Sequence, residues 1–198
     1  MSTAIHHDSP AARLPGLRAG QFGFTLVELI MVTVIVGIIG AVVAPRFFTR
    51  TTFDASGYSN QLAALLRYGQ KLAIAQNRSV FVRLNGNSVA LCYTATCAAG
   101  SRVLAPAGAN SASAATRLRC VDPATNVYDS TWACEGVPTG VSVTNAGTFY
   151  FDAVGTPFAQ ADAQPTLVST FPVRLAVNVT GSGVALQTTI EGGTGYVY

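Results

Sequence analysis

From Phe24 to Ala44 the chain runs for 21 residues with a single charge, Glu28, and that run limits what the remainder can be. As a helix rising about 1.5 Å per residue it is long enough to cross a hydrocarbon core of about 30 Å. The carboxylate is the anomaly. A charge near the bilayer centre costs roughly 2.5 kcal/mol or more, and less near the edge, so Glu28 needs a compensating partner. Snorkelling to the headgroups is the alternative, because Glu28 stands close to the start of the run.

Residues 1–23 carry Arg13 and Arg18 but are not an ordinary secretory signal. They lack an apolar core of roughly 7–15 residues and a small-x-small cleavage site. The hydrophobic stretch follows this segment instead of lying within it. An uncleaved signal anchor would do the same, but a simple tether has no use for Glu28. Arg13 and Arg18 before the run face Arg46 and Arg50 after it, so basic residues set no orientation.

Of 198 residues, about 150 remain beyond the first segment and the apolar run, enough for one modest domain. Only 11% of residues are charged, and a net charge of +3 is too small to imply nucleic acid. Both histidines, His6 and His7, precede the run, and Lys71 is the sole lysine. After the run there is thus no imidazole for general-base work or metal ligation. Nucleophile-elbow, phosphate-loop and zinc-protease motifs are missing as well. The expectation is no catalytic residue and no cofactor.

Cys92, Cys97, Cys120 and Cys134 all follow the run, and an even number in a small extracytoplasmic domain suggests disulfides. Of the three possible connectivities, 92–97 with 120–134 is favoured. Zinc is the competing reading, but the second pair lacks the short knuckle that zinc sites use. Asp122, Asp129 and Glu135 have no EF-hand spacing, so calcium is not expected.

Pro45 ends the apolar run. A helix passing through it loses the bond to the Ala41 carbonyl and kinks. Thereafter Tyr58, Leu62, Leu65, Leu66, Gly69, Leu72 and Ala73 recur at steps of three and four, with Asn60, Arg67 and Lys71 opposite. This predicts an amphipathic helix over 45–78 whose stripe is buried on a sheet. Gly57 permits a bend or break there. Gly69, on the stripe, lets a strand come close.

After Asn77 the period becomes two. Residues 79–84 and 88–93 around Asn85-Gly86-Asn87 read as a hairpin, with Asn-Gly supplying positive φ. Residues 94–146 show weak periodicity and read as an irregular region, of the kind that often carries specificity. Further strands are expected at 147–152, 166–171, 173–179, 184–190 and 196–198. A long helix followed by consecutive antiparallel strands is an α+β arrangement.

The word Gly23-Phe24-Thr25-Leu26-Val27-Glu28 resembles the processing site of type IV pilins and type II secretion pseudopilins. The helix end Leu65-Leu66-Arg67-Tyr68-Gly69-Gln70-Lys71-Leu72-Ala73-Ile74-Ala75-Gln76-Asn77-Arg78 and the closing Thr194-Gly195-Tyr196-Val197 are similar to the H-type pseudopilin and minor-pilin branch. Mannose-sensitive haemagglutinin pilin subunits share these features. Residues 94–146 carry no such resemblance.

The resemblance implies a pilin-like fold with a leader over 1–23, a membrane and filament-core helix over 24–44, an amphipathic helix over 45–78 and a periplasmic β domain over 79–198. It implies that a prepilin peptidase cuts between Gly23 and Phe24 and methylates the new amine of Phe24. Glu28 would then meet the N-terminal amine of a neighbouring subunit. Two opposite charges attract far more strongly in low dielectric than in water, and each removes the other's unpaired penalty. The implied partners are other pilin or pseudopilin subunits, the peptidase and an inner-membrane assembly platform with its motors. The protein would sit in the bacterial inner membrane as a single-pass subunit and then enter a pilus or pseudopilus.

Independently of the resemblance, Thr33, Gly37, Gly40 and Ala44 fall at steps of four, three and four and form a small-residue stripe opposite Glu28. It would pack against a neighbouring helix, although glycine is also simply frequent in membrane helices. Two other functions stay open. A DNA-capturing minor pilin is disfavoured because residues 191–198 contain no Lys or Arg for phosphate contacts. A membrane-tethered periplasmic enzyme is disfavoured by the missing catalytic motifs.

Overall fold

The computed structural model describes residues 24–47, 50–162 and 168–198, with side-chain surroundings given for all of these except 41–51. The chain divides into two compact units, 1–47 and 48–198. In the first, α1 spans Leu26–Phe47, and the backbone stays helical through Pro45. Every described side chain from Phe24 to Gly40 is exposed. Among the described residues no helix is long and apolar enough to cross a membrane. The expected span over 24–44 continues past Gly40, into side chains outside the described set, as do Ala44 and Pro45.

The second unit opens with α2, Arg50–Gln76, which is uninterrupted at Gly57. Its inner stripe is the one read from the spacing. Tyr58, Leu62, Leu65, Leu66 and Ala73 are buried and Leu72 is partly so, whereas Asn60, Arg67 and Lys71 are exposed. Each fully buried Leu contributes roughly 1.5–3 kcal/mol. The helix ends in a Schellman motif. Arg78 N–H bonds the Ala73 carbonyl at 3.1 Å and Asn77 N–H the Ile74 carbonyl at 3.3 Å, with Asn77 at φ 50°.

Eight strands follow, namely β1 (Val80–Leu84), β2 (Ser88–Cys92), β3 (Cys134–Gly136), β4 (Val141–Thr144), β5 (Phe149–Phe151), β6 (Pro157–Ala159), β7 (Arg174–Gly181) and β8 (Val184–Glu191). A short helix, α3 (Ala114–Arg119), lies between β2 and β3. All pairings are antiparallel. They make two sheets, ordered β3-β2-β1-β5-β6 and β4-β7-β8, where one sheet of consecutive strands was expected. The core joins them under α2, with Val80, Val82, Leu91, Phe149 and Phe151 from the larger sheet and Val177, Val179 and Ile190 from the smaller.

The first hairpin pairs Phe81 with Cys92 and Leu84 with Val89. Gly86 takes φ +79°, but Asn85 keeps negative φ and works through its side chain. Its Oδ1 accepts Asn87 N–H at 3.0 Å and Ser88 N–H at 2.9 Å, an Asx turn. At Gly69 an added Cβ would stand 3.1 Å from Leu91 Cδ2, the close approach its position implies.

Two expected strands need correction. Residues 168–171 are not a strand, and 163–167 lie outside the described residues. The segment docks instead by Ser169 Oγ–H on the Pro157 carbonyl at 2.7 Å and by the Phe171 ring on Phe149. Residues 196–198 form only a bridge, with Tyr198 and Thr189 exchanging backbone bonds of 2.7 and 3.0 Å. That tail is fastened to α2. Gln70 Nε2 donates to the Thr194 carbonyl at 2.9 Å and Arg67 Nε to the Val197 carbonyl at 3.1 Å. Gly195, at φ +68°, tolerates no side chain, since a Cβ would stand 2.2 Å from the Gly155 carbonyl oxygen.

Candidate functional site

At the head of α1, Thr25 caps the helix. Its Oγ1 accepts Glu28 N–H at 3.2 Å and its carbonyl accepts Leu29 N–H at 3.1 Å. Thr25-Leu26-Val27-Glu28 has the Ser/Thr-x-x-Glu spacing of a capping box, a signal legible in the local sequence. Glu28 also lies in the first turn, where the positive end of the helix dipole favours an anion. The bonded group is the Glu28 backbone N–H, and the residue is exposed. Gly23 lies outside the described residues, and Phe24 is exposed. In the uncut chain the Phe24 nitrogen is a neutral amide, so an ion pair with a carboxylate requires cleavage first.

Thr33 spends its hydroxyl on the Ile30 carbonyl at 2.9 Å, which removes a polar donor from the small-residue stripe. A Cβ added at Gly37 or Gly40 would meet nothing within 4 Å. The stripe is therefore uncovered from Thr33 to Gly40, as are the large apolar side chains around it, among them Leu29, Val32, Val36 and Ile39. A helix apolar all round is stable only when lipid or other protein surrounds it. Residues 18–44 match the prokaryotic N-terminal methylation motif. The methylation motif thus covers Gly23, Phe24, Glu28 and the stripe, and none of the second unit.

Beyond the motif, the irregular region 94–146 proves to be ordered. Cys92 is joined to Cys97 and Cys120 to Cys134, with Cα–Cα distances of 5.3 and 5.8 Å, so all four sulfurs are committed to S–S bonds. The bridges surround Trp132 on the face of β2 away from α2, where Ala90 and Cys92 also point. Trp132 donates its indole N–H to the Leu91 carbonyl at 2.9 Å, and Arg102 lies over its ring at 4.9 Å.

Asp122, Asp129 and Glu135 do not form one cluster. Asp122 and Asp129 both face Arg102, at 2.8 and 3.1 Å. Both carboxyls are held below their ordinary range. For Asp122 the Ala124 N–H is the chief cause, with Arg102 assisting. For Asp129 burial pushes upward but is outweighed by Thr131 and Arg102. Glu135 is buried elsewhere, accepting Ser111 N–H at 2.8 Å, the Thr116 hydroxyl at 2.7 Å and the Ser111 hydroxyl. Burial, with the Glu135 charge adding, pushes the Tyr58 hydroxyl up.

Similarity outside the motif is slight. No curated protein is similar enough to the chain to count as a match. The crystal structure of the type IV minor pilin FimU from Pseudomonas aeruginosa superposes with a TM-score of 0.40 and 14% identity, over 75% of this chain and 87% of that one. A TM-score of 0.40 is too low to establish a shared fold, so the architecture rests on the helices and strands themselves.

Proposed function

We propose that this chain is a non-catalytic, pilin-like structural subunit, a minor pilin or pseudopilin. It is cleaved between Gly23 and Phe24, methylated at the Phe24 amine, held in the inner membrane by residues 24–44 and then drawn into a filament. The observation that carries this reading is the exposed apolar face of α1 from Phe24 to Gly40, headed by the methylation motif. Lipid satisfies that surface before assembly, and neighbouring helices satisfy it afterwards. The Thr33, Gly37, Gly40 and Ala44 stripe is the face where a neighbour comes nearest. Glu28, offset from that stripe, pairs with the amine of another subunit. The second unit, 48–198, faces the periplasm, where the two disulfides are stable.

The test is intact-mass measurement of the protein extracted from membranes of a host with active prepilin peptidase. The expected mass lacks residues 1–23 and carries one added methyl group. Retention of the leader in that host would defeat the reading.

A further inference from the structure

Arg83 stands on β1 opposite Ala90 of β2, and the small Ala90 leaves space beside it. Arg119 closes α3, which the bridge from Cys120 to Cys134 ties to β3. The two arginines line one cleft of about 210 Å³, together with Asn85, Ala90, Pro123 and Trp132. No acidic residue lines it. Among the described residues the structure shows no ion pair and no side-chain hydrogen bond for either arginine.

The acids of the second unit are already engaged. Asp122 and Asp129 serve Arg102, and Glu135 is held by Ser111 and Thr116. Asp152 accepts Val154 and Thr156 N–H, Asp162 is held by Ala159 and Thr170, and Glu191 by Arg174 and Tyr198. The one left, Asp54, is on α2, which packs on the other face of the larger sheet. Two guanidinium groups therefore share a concave site with no internal counter-charge.

We propose that this cleft binds a phosphate group. Asn85 Oδ1 is taken by Asn87, Ser88 N–H and the Ser88 hydroxyl, so the Asn85 side chain has only its Nδ2 donors left to offer. Arg83, Arg119 and Asn85 thus line the cleft with an excess of side-chain donors, which suits the several terminal oxygens of a phosphate better than the two of a carboxylate. The ligand is a free phosphate or a small phosphate monoester, because the space is bounded by the sheet on one side and the disulfide lobe on the other. The cleft lies wholly in the second unit and does not depend on the assembly reading.

Trp132 is the only tryptophan of the chain and lines the cleft, so it reports occupancy directly. The experiment titrates the detergent-solubilised full chain with inorganic phosphate at constant ionic strength, balanced with chloride, and follows tryptophan fluorescence. A saturable response is expected, weakened about tenfold or more by Arg83→Gln and by Arg119→Gln, as loss of a charge-assisted bond requires. Lys71→Gln, on the exposed side of α2, should leave it unchanged. Arg83→Lys keeps the charge without the fork and should also weaken binding, and circular dichroism of each variant confirms that it is folded. No saturable response at millimolar phosphate, or equal binding by the arginine variants, overturns the proposal. Tight binding of a thymidine oligonucleotide with no response to free phosphate overturns it too, in favour of a nucleic-acid backbone.

Discussion

Glu28 carries two separable properties, a position three residues after the capping Thr25 and a negative charge. Glutamine keeps the first and loses the second, since either residue serves in a capping box. If the charge pairs with a neighbour's amine, Glu28→Gln and Glu28→Ala should both be cleaved and inserted normally, or slightly better, yet fail to enter sheared filaments. Normal incorporation of the Gln variant would reduce Glu28 to a capping residue. Thr25→Ala should cost the helix about 1 kcal/mol and leave assembly intact. Asp162 offers a different test. Its carboxylate takes the Thr170 hydroxyl, Thr170 N–H at 2.9 Å and Ala159 N–H at 2.9 Å, which hold it below the ordinary aspartate range. A depressed folded pKa means that stability is fully present above about pH 4 and is lost as pH falls through the folded value. The urea midpoint should therefore drop on the acid side, and Asp162→Asn should flatten part of that slope.

The helix α2 shows how far periodicity reaches. Steps of three and four place Tyr58, Leu62, Leu66 and Ala73 inward because any helix with that pattern has one face to hide. Its two glycines then behave oppositely. Gly57 is exposed with nothing near its Cβ position, so Gly57→Ala should stabilise by about 0.5–1 kcal/mol. Gly69 faces Leu91, and Gly69→Val should destabilise by roughly 1–3 kcal/mol through overpacking. Equal unfolding midpoints for the two variants would contradict the packing described. Short strands were harder to read. β6 begins with Pro157 and is three residues long, too little for alternation to register, and Pro is tolerated at a strand's first position. The run 166–171 has strand-like residues, but 168–171 does not take strand conformation, and Pro157–Ala159 occupies the edge beside β5.

Across the folded unit the disulfide lobe is the part most dependent on covalent closure. The Cys120–Cys134 bridge, with a separation of 14 residues, should contribute about 3 kcal/mol in the chain-entropy model, and the 92–97 bridge less. Replacing Cys120 and Cys134 together by Ser should expose Trp132 and red-shift its emission while the far-ultraviolet signal of α2 persists. An unshifted emission maximum would show that the lobe holds without the bridge. The apolar run, its acid, the amphipathic stripe, the first hairpin and the even cysteine count were all legible along the chain, because each is a local pattern whose meaning follows from the geometry of a single element. The division into two sheets, the pairing of β1 with β5 and β4 with β7, and the meeting of Arg83 with Arg119 were not. Those contacts join residues far apart in the chain, and no periodicity records them. The strand pairings exist because the apolar stripe of α2 must be covered, and only the packed chain decides which strands of the two sheets provide the cover.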